Sequence, residues 1–457
     1  MIIKSINPSN YQIIGEVEST SEEQVLSLIK KAREAQLHWS GLPLDDRCRK
    51  VLSLSNLFTK YKSELAEAMC SEMGQPLTNC LAQVDESIDY FESYVKLAPS
   101  FFEPEVVFED DSQQHIQIRE QVGVIVAISP WNFPIHNVPF QLGQGLIAGN
   151  SIIYKPSEEI PMFAKLLEKI VAESDLPQGV LSLVIGGREI GEFMVSQPNI
   201  DLVLFTGSSA AGSKITAEAA KNSVPVLTEM GGSAPGVIFE DADLDKILNF
   251  AADMRFNNTG QYCDGLKRLI VHESLHDRVI EGLRNYAESK KVGDPSDSNT
   301  DFGPLVAERQ VVKLKDQVQD ALDKGAKIIA GGKQPEGLNG AFYEITVLDN
   351  ISFDMKVWHE EVFGPVLPVV TFKTEEEAIK LANDTEYGLG AFIFTEDYDK
   401  YLRVASKIKA GNIGHNTTLY FSPLTPFGGY KNSGHGRSQG IAGFEEVTQI
   451  KVIVKGK

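Results

Sequence analysis

The stretch "IDLVLFTGSSAAGSKITAEAAKN", residues 200–222, decides the fold. Its first part is a short apolar run typical of a buried strand, and its second part carries small and apolar residues at helical spacing. Strands and helices alternate in this way from residue 121 to residue 232. This alternation predicts an α/β fold with a doubly wound parallel sheet, in which ligands bind at the carboxyl ends of the strands.

The segments on either side follow other patterns. Residues 21–100 are predicted to be largely helical, and "EVVFEDDSQQHIQIRE", residues 105–120, is predicted to form a β-hairpin. A second alternation of strands and helices runs from about residue 233 to residue 430. The tail "TQIKVIVKGK", from residue 448, alternates like one more strand, and such a tail often pairs outside its own domain.

The composition excludes several classes of protein. The chain has 457 residues, of which 42% are hydrophobic and 23% are charged, as in a globular protein with a large core. Its formal net charge of −20 argues against nucleic-acid and anionic-membrane binding, since both need basic surfaces. The apolar runs are far shorter than the roughly 18 residues of a membrane span. We therefore expect neither a nucleic-acid partner nor a membrane.

Cysteine usage and the N-terminus favour a reduced, cytoplasmic protein. Cys48, Cys70, Cys80 and Cys263 are too few for a disulfide framework and lack metal-binding spacing, so no metal site is expected. The N-terminus has no basic region followed by an apolar block, so no signal peptide is expected. The first three cysteines lie in helical patterns and are interpreted as structural. The fourth lies in the polar, glycine-lined segment "FNNTGQYCDG", residues 256–265.

Dinucleotide-binding signals are incomplete when each is taken alone. "GHGRSQG", residues 434–440, does not follow a strand and is interpreted as a chance match to a glycine-rich loop. "FTGSSAAGSK", residues 205–214, resembles a phosphate-binding loop, but Ser213 stands where that motif needs lysine. A helix N-terminus flanked by Gly207 and Gly212, with the Ser208 hydroxyl, can still hold a pyrophosphate. An ordinary strand–helix turn is the alternative.

Two further segments place polar side chains at predicted strand ends. In "YKPSEEIP", residues 154–161, Lys155 and Glu158 lie where a ribose would lie if Ser208 held the phosphates. A solvated charge pair is the alternative. In "ISPWNFP", residues 128–134, Asn132 lies in a rigid loop, where its amide can donate to a developing oxyanion. A simple turn-forming role is the alternative there.

Glu229 and Cys263 have the residue types of a covalent catalyst. Glu229 lies at a predicted strand end in "LTEMGGSAP", residues 227–235. A nucleophilic sulfur and a carboxylate base, near a dinucleotide and an amide donor, suit the covalent oxidation of a carbonyl group. Polar surroundings are expected to stabilise the Cys263 thiolate, and the glycines to let the backbone approach the substrate carbonyl.

In this order the segments resemble the NAD(P)-dependent aldehyde dehydrogenase superfamily over essentially the whole chain. The matching stretches are "SPWNFP", "KPSE", "FTGS", "EMGG", "FNNTGQYC", "EEVFGPV" and "PFGGYKNSG". The resemblance implies that Cys263 is the nucleophile, Glu229 the general base and Asn132 an oxyanion donor. It implies contacts with NAD, or possibly NADP, from Trp131, Lys155, Ser157, Glu158, Phe205, Gly207, Ser208, Gly212, Glu361 and Phe363.

The resemblance also implies a domain plan and an assembly. Residues 1–102 and 122–231 would form the NAD-binding domain, and residues 232–432 the catalytic domain. Residues 103–121 and 433–457 would form an oligomerisation and bridging element. A homodimer or homotetramer is therefore expected, with the last strand extending the sheet of a partner subunit.

The reaction implied is oxidation of an aldehyde to an acid through a thiohemiacetal and a thioester on Cys263. Family members that pass the acyl group to coenzyme A generally lack the glutamate, so Glu229 favours hydrolysis. The same carboxylate could instead serve only to activate the thiol. An inactive structural protein, and a cofactor-free cysteine esterase with His272 as the nearest histidine in sequence, are the alternatives from other classes.

The substrate is less closely defined. Relatives that oxidise succinate semialdehyde carry arginines at the positions of Phe140 and Asn257, which argues against a small acid-tailed aldehyde. A neutral or aromatic aldehyde, or a larger one with a distant charge, is expected. A succinate- or succinylglutamate-semialdehyde type is the alternative. The predicted pocket residues, for which plain core packing is the alternative, are Phe133, His136, Phe140, Asn257, Tyr262, Phe421 and Phe427, with Tyr420 nearby.

Overall fold

A computed structural model of the protein describes residues 1–417 and 422–457. Phe421 and Tyr420, which the sequence places in the substrate pocket, lie outside the described residues. The chain begins with an antiparallel hairpin, which the sequence analysis missed, and continues with the predicted helices and the predicted hairpin. These elements are β1 (Ile2–Ile6), β2 (Ile13–Glu18), α1 (Glu22–Ser40), α2 (Leu44–Lys60), α3 (Lys62–Met73), α4 (Leu77–Phe101), β3 (Glu105–Glu109) and β4 (Gln113–Gln121).

The next part of the chain alternates strands and helices, as predicted. A π-helical turn, Pro139–Gly143, joins its first two helices. The elements are β5 (Val124–Ile128), α5 (Pro134–Val138), α6 (Gln144–Ala148), β6 (Ser151–Lys155), α7 (Pro161–Glu173), β7 (Leu181–Leu183), α8 (Arg188–Val195), β8 (Leu202–Thr206), α9 (Ser209–Ala220) and β9 (Val226–Glu229).

The second alternation and the tail complete the chain. The elements are β10 (Ala234–Ile238), α10 (Leu244–Phe256), β11 (Leu266–His272), α11 (His276–Ser289), α12 (Glu308–Asp323), β12 (Lys327–Ala330), β13 (Thr346–Asp349), α13 (Lys356–His359), β14 (Val366–Phe372), α14 (Glu375–Asn383), β15 (Gly390–Phe394), α15 (Tyr398–Ala405), β16 (Asn412–His415), β17 (Gly434–His435), α16 (Gly440–Glu446) and β18 (Thr448–Gly456). Short 3₁₀ turns lie at Asn257–Gly260, Glu273–Leu275 and Lys431–Ser433.

The first sheet is doubly wound, as the sequence predicts. Its strand order is β17-β9-β8-β5-β6-β7, and all neighbours are parallel except β17, which runs antiparallel to β9. Alternate residues of β5 point to opposite faces, so Ile125 and Ala127 join one hydrophobic cluster while Val124 and Val126 join another. Both faces are therefore covered, which explains the unbroken apolar run of this strand.

The second sheet has the strand order β12-β13-β14-β11-β10-β15-β16. It is parallel except for the pair β12 and β13. On β11, Leu269 and Val271 pack into one hydrophobic cluster while Ile270 packs into another. The α/β fold with two sheets is therefore confirmed.

A small third sheet stands apart from these two. The tail strand β18 pairs antiparallel with β4 from Thr448↔Gln121 to Gly456↔Gln113, and β4 pairs with β3. The tail thus pairs with the hairpin of its own chain. Part of the segment 433–457 also joins the first sheet, because β17 pairs with β9. Within residues 1–417 and 422–457, no helix is both long and apolar enough to cross a membrane.

Candidate active site

A cavity of about 700 Å³ lies where the carboxyl edge of the first sheet faces the loop that precedes β11. Glu229 ends β9 and Asn132 follows β5 in the same sheet, so both side chains reach this edge. Most of the predicted site residues line the cavity. They are Cys263, Glu229, Asn132, Trp131, Gly207, Ser208, Glu361, Phe363, Phe133, His136, Phe140, Asn257, Tyr262 and Phe427.

The loop before Cys263 has an unusual backbone. Asn258, Thr259 and Gly260 all have positive φ angles, of 50°, 55° and 73°. A β-branched threonine rarely adopts this conformation, so the surroundings must hold it. The Thr259 hydroxyl donates to the carbonyl oxygen of Gly303 at 3.0 Å. The Gln261 side chain accepts from the backbone N–H of Val306 at 2.9 Å, which fixes the loop on its other side.

The glycines of this region pack loop against loop. A Cβ atom on Gly260 would lie 2.2 Å from the carbonyl oxygen of Gly364. One on Gly232, in the "EMGG" stretch, would lie 2.5 Å from the carbonyl oxygen of Cys263. The expectation that the glycines beside Cys263 let the backbone approach the substrate carbonyl is therefore wrong for Gly260, because this residue, like Gly232, admits neighbouring backbone.

Asn132 is held against the cysteine loop. It is 6% exposed, and its Nδ2 group donates to the carbonyl oxygen of Gln261 at 3.1 Å. In return, the Nδ2 group of Asn258 donates to the Asn132 carbonyl oxygen at 2.8 Å. A primary amide carries two N–H donors, so this arrangement orients the amide and leaves its second donor for an acceptor in the cavity.

Glu229 is buried with one oxygen engaged. The Ser438 hydroxyl donates to Oε1 at 3.2 Å, while Oε2 has no hydrogen-bond partner among the described residues. The carboxyl group is 3% exposed, and burial raises its pKa well above the usual value. A buried carboxylate beside a cavity, with one oxygen that lacks a hydrogen-bond partner among the described residues, is suited to binding and deprotonating a water molecule.

The electrostatic surroundings of Cys263 differ from the expectation. Burial raises the pKa of its thiol well above the ordinary value, and the charge of Asp264 raises it further. Glu361 and Glu229 act in the same direction, whereas Lys267 lowers the thiol pKa. The expectation of a stabilised thiolate is therefore wrong for the structure as it stands, because burial and three carboxylates outweigh one ammonium group.

Glu361 and Phe363 occupy the far side of the cysteine loop. The Glu361 Oε1 atom accepts from Lys267 Nζ at 2.7 Å and from the backbone N–H of Gly232 at 3.1 Å. The ring centroids of Phe363 and Trp131 are 5.7 Å apart. The Lys267 ammonium group also lies 4.8 Å from the Phe363 ring. These contacts together connect the "EEVFGPV" stretch to the "SPWNFP" loop.

Two cations of this framework were missed by the sequence analysis. Lys267 is 1% exposed, and Arg255, at the end of α10, is fully buried and donates to the carbonyl oxygens of Val362, Gly364 and Val366. Burial lowers the pKa of Arg255 to about 9. A signal was available for Lys267, because it interrupts the apolar pattern of β11. Nothing in the sequence distinguishes Arg255 from an exposed arginine.

Of the predicted adenosine and pyrophosphate contacts, Ser208 lines the cavity, whereas Lys155, Ser157 and Glu158 lie outside its lining, near the same sheet edge. Lys155 ends β6, is 3% exposed, and its Nζ atom lies 3.6 Å from Glu158 Oε2. The Glu158 side chain is 42% exposed. The Ser157 hydroxyl accepts from the backbone N–H of Glu159. Ser208 is exposed and is the N-cap of α9, so free N–H groups of that helix start face the same edge.

Phe205 and Gly212 are not brought to the cavity wall. The Phe205 ring lies in the hydrophobic cluster under β8, where a Cβ atom on Gly207 would lie 2.6 Å from it. A Cβ atom on Gly212 would lie 2.3 Å from the sulfur of Met230. Both residues therefore stabilise the turn between β8 and α9 by packing on the side of the turn that faces the hydrophobic cluster.

Aromatic rings form much of the remaining wall. The ring centroids of Phe133 and Tyr262 are 4.7 Å apart, and those of Phe140 and Phe427 are 5.9 Å apart. Phe140 belongs to the π-helical turn, a local widening that is frequent at functional sites. Asn257 lines the cavity at the start of the cysteine loop.

The same wall carries carboxylates that the sequence analysis did not assign to it. His136 Nε2 lies 3.0 Å from Glu86 Oε2, and the His136 ring lies 5.5 Å from that of Tyr90. Glu86 and Tyr90 project from α4, and Asp264 lines the cavity beside Cys263. Glu86 and Tyr90 reach the cavity because α4 packs against α5 and the π-helical turn, and no local sequence pattern shows this tertiary packing.

Comparison with known proteins decides the family. The sequence model of the aldehyde dehydrogenase family matches residues 1–453. The chain belongs to the aldehyde dehydrogenase family. It is 37% identical over 463 residues to the peroxisomal aminoaldehyde dehydrogenase 1 of Pisum sativum, covering 99% of this chain and 92% of the relative. It is 32% identical to the NADP(+) succinate-semialdehyde dehydrogenase GabD of Escherichia coli, covering 98% and 93% of the two chains.

Solved structures give the same result. A crystal structure of the betaine aldehyde dehydrogenase of Staphylococcus aureus in complex with NAD+ superposes with a TM-score of 0.96 at 32% identity, covering 100% of this chain and 91% of that one. The predicted superfamily, the oxidation of an aldehyde to an acid and the NAD(P) dependence are therefore confirmed for this aldehyde dehydrogenase. His272, the base required by the esterase alternative, lies at the far end of β11 and bonds to Ser274.

Proposed function

We propose that this aldehyde dehydrogenase prefers NAD+ and oxidises an aldehyde that carries a positively charged amino or ammonium group, releasing the acid by hydrolysis. The main support for this substrate class is the charge of the cavity wall. The acidic residues Glu86, Glu229, Asp264 and Glu361 line it, whereas Lys313 is the one lysine, and no arginine is present, among its described lining residues. A cation gains from carboxylates and aromatic faces, whereas a carboxylate tail would lose water among mostly like charges.

The residues of the cavity divide the chemistry between them. The Cys263 thiol releases its proton to solvent, the thiolate attacks the aldehyde carbon, and Asn132 with the Cys263 backbone N–H holds the oxyanion of the thiohemiacetal. Bound NAD+ supplies the acceptor for the hydride. The open Oε2 atom of Glu229 holds the water that hydrolyses the thioester on Cys263, and takes its proton. The position of each side chain in the cavity and the family match support these roles.

The carboxyl edge of the first sheet fits a dinucleotide. The N-terminus of α9 with Ser208 offers N–H donors for a pyrophosphate, and Glu158 offers acceptors for ribose hydroxyls. A 2′-phosphate would meet the Glu158 carboxylate, and like charges at short range disfavour binding. Lys155 Nζ, 3.6 Å away, offsets part of this repulsion, which is why NADP+ remains a possible second cofactor.

The proposed substrate class refines the expectation of a neutral or aromatic aldehyde. Phe133, Tyr262 and Tyr90 supply ring faces, and Glu86 supplies a carboxylate at 59% side-chain exposure, towards the mouth of the cavity. Relatives include enzymes named for amino and betaine aldehydes and others named for succinate and glutarate semialdehydes. The absence of arginine at Phe140 and Asn257 favours the first group.

A pair of isosteres tests this substrate class. Trimethylammonioacetaldehyde and 3,3-dimethylbutanal have the same shape and differ by one charge, and succinate semialdehyde supplies the acid-tailed comparison. We expect kcat/KM for the cation to exceed that for its neutral isostere by about tenfold, or about 1.4 kcal/mol. Succinate semialdehyde should be the poorest of the three. A preference for succinate semialdehyde, or equal rates for the two isosteres, contradicts the proposal.

Two variants on α4 locate the effect. Glu86→Gln should reduce the preference for the cation over its isostere several-fold without lowering the rate for the isostere. Glu92→Gln is the matched control, since Glu92 lies on the same helix and pairs with Lys96 away from the cavity. An unchanged preference in the Glu86 variant would place the recognition of the cation elsewhere in the cavity.

We propose further that the chain forms a homodimer, or a tetramer of paired dimers, through the third sheet. From Gln449 onward every residue of β18 is exposed, including Ile450, Val452, Ile453 and Val454. Val106, Val107 and Phe108 of β3 are exposed as well. An apolar sheet with open edges favours association, and extension of a partner's sheet by β18 is the expected form.

The oligomeric state in solution tests this proposal. Light scattering should give at least the dimer mass, and deletion of residues 447–457 should yield monomeric or insoluble protein. A monomer mass for the full chain at micromolar concentration contradicts the proposal.

The cytoplasmic location expected from the sequence stays a prediction.

A further inference from the structure

Asp264, immediately after Cys263, has a position that the proposed reaction does not use. The residue is 1% exposed and lines the cavity. The Cys263 thiol donates a hydrogen bond to its Oδ1 atom, with the two atoms 3.7 Å apart. A carboxylate is a strong acceptor for S–H but repels a thiolate, so this contact favours the protonated form of the sulfur.

The other charged groups around the sulfur do not offset this effect. Lys267 is the cation that acts on Cys263, and its ammonium group is bound to Glu361 at 2.7 Å. Glu229 acts from β9, on the other side of the cavity. Within residues 1–417 and 422–457, the titratable groups that act on Cys263 are therefore Asp264, Glu229, Glu361, Lys267 and Tyr262. In the free enzyme their charges favour an S–H group in addition to the effect of burial.

We propose that Asp264 is a positioning residue that keeps the Cys263 thiol protonated in the free enzyme and so restrains its reactivity. The inference rests on the proposed role of Cys263 as the nucleophile. The opposite role for the same contact is that of a base, in which Asp264 takes the thiol proton and increases reactivity. The two roles predict opposite changes in the reactivity of Cys263 when the carboxylate charge of Asp264 is removed.

The alkylation of Cys263 by iodoacetamide measures this sign without cofactor or aldehyde. Thiolate reacts and thiol does not, so the rate constant as a function of pH reports the protonation of the sulfur. In the wild-type enzyme we expect a midpoint above the ordinary thiol value of about 8.5. Asp264→Asn keeps the shape of the side chain and removes its charge. It should lower the midpoint and raise the rate constant at pH 7.5 by about tenfold, which corresponds to a shift of about one pH unit.

Two controls isolate the effect. Cys263→Ala identifies the alkylated site against the buried Cys48, Cys70 and Cys80. Asp245→Asn makes the same charge change at a side chain that is 94% exposed, and should leave the alkylation profile unchanged. Circular dichroism checks that each variant is folded.

Each outcome decides the inference. Slower or unchanged alkylation in the Asp264 variant overturns it, and slower alkylation assigns the role of base instead. A wild-type midpoint at or below about 8.5 overturns it even if the variant fails to fold. The proposed function fails separately, through aldehyde oxidation that persists in Cys263→Ala, so the two failures are distinguishable.

Discussion

The two ends of the site differ in their access to water. At the cysteine end, Asn132, Glu229 and Asp264 are all at most 6% exposed, and each makes a hydrogen bond to another protein group. At the end predicted to hold the adenosine, Glu158 is 42% exposed and Ser208 is open to solvent. Charges and hydrogen bonds act more strongly where water is excluded. The consequences of substitution should therefore decrease from the cysteine end to the adenosine end.

The largest effect is expected for Cys263→Ala, at the buried end. Loss of the nucleophile removes the covalent route, so kcat for aldehyde oxidation should fall by about 10⁴-fold or more. Binding of NAD+, measured by calorimetry, should persist, because the predicted adenosine contacts lie outside the cysteine loop. Turnover above a few per cent of wild type would show that Cys263 is not the nucleophile and would contradict the predicted difference between the two ends of the site.

The second effect is expected for Glu229→Gln, which keeps the shape of the carboxyl group and removes its basicity. Steady-state kcat should fall by about 10³-fold. Because hydrolysis is the step proposed for Glu229, rapid mixing should still show a burst of reduced cofactor of one equivalent per site. Loss of the burst as well would assign Glu229 to activation of the thiol.

The buried carboxyl group of Glu229 also predicts how kcat of the wild-type enzyme depends on pH. Burial raises the pKa of Glu229, and only the deprotonated form is a base, so kcat should rise with pH from the acidic side. This limb should be displaced to higher pH than an exposed glutamate would give, and should disappear in Glu229→Gln. A limb that survives in the variant belongs to another group.

The third effect is expected for Asn132→Ala. Loss of one oxyanion donor costs about 10²- to 10³-fold in kcat, provided that the donor acts on the reacting oxygen. Asn137→Ala is the matched comparison, because the Asn137 amide lines the same cavity but donates to the carbonyl oxygen of Phe133. Equal losses in the two variants would point to damage of the loop instead of lost donation.

The smallest effect is expected at the exposed end, for Glu158→Ser. The ratio of kcat/KM for NAD+ to that for NADP+ should fall by less than about tenfold, because solvent screens a charge that is so exposed. Glu168→Ser, at an exposed position of α7, should leave the ratio unchanged. A change larger than that of Asn132→Ala would reverse the comparison between the two ends.

The same contrast explains what the sequence could predict. The strands and helices around residues 200–222 follow from local periodicity, and the residue types of Cys263, Glu229 and Asn132 identify the chemistry. The protonation of Cys263 was predicted with the wrong sign, because the burial of its thiol arises only when distant segments pack, while the adjacent Asp264 was visible in the sequence but not weighed. Arg255 and Glu86 were missed for the same reason, since each acquires its partners across more than forty residues of sequence.

The N-terminal hairpin was missed for another reason. β1 and β2 are short and largely exposed, and they are joined by a polar turn in which Tyr11 has a positive φ angle. Such a hairpin has a weak pattern of apolar residues, so little in the local sequence distinguishes it from an irregular terminus.

The contact between Ser438 and Glu229 bears on the order in which the protein is made. Glu229 leaves the ribosome well before the hydroxyl that holds it, because Ser438 lies 209 residues later in the chain, and the strand β17 that pairs with β9 is translated just before Ser438. Asn150, at the start of β6, likewise donates to the carbonyl oxygen of Val447. A growing chain can therefore form the parallel strands of both large sheets while its base is still unsupported. Support of the base arrives only with β17 and Ser438, so chains that end before these residues are expected to be inert towards aldehydes.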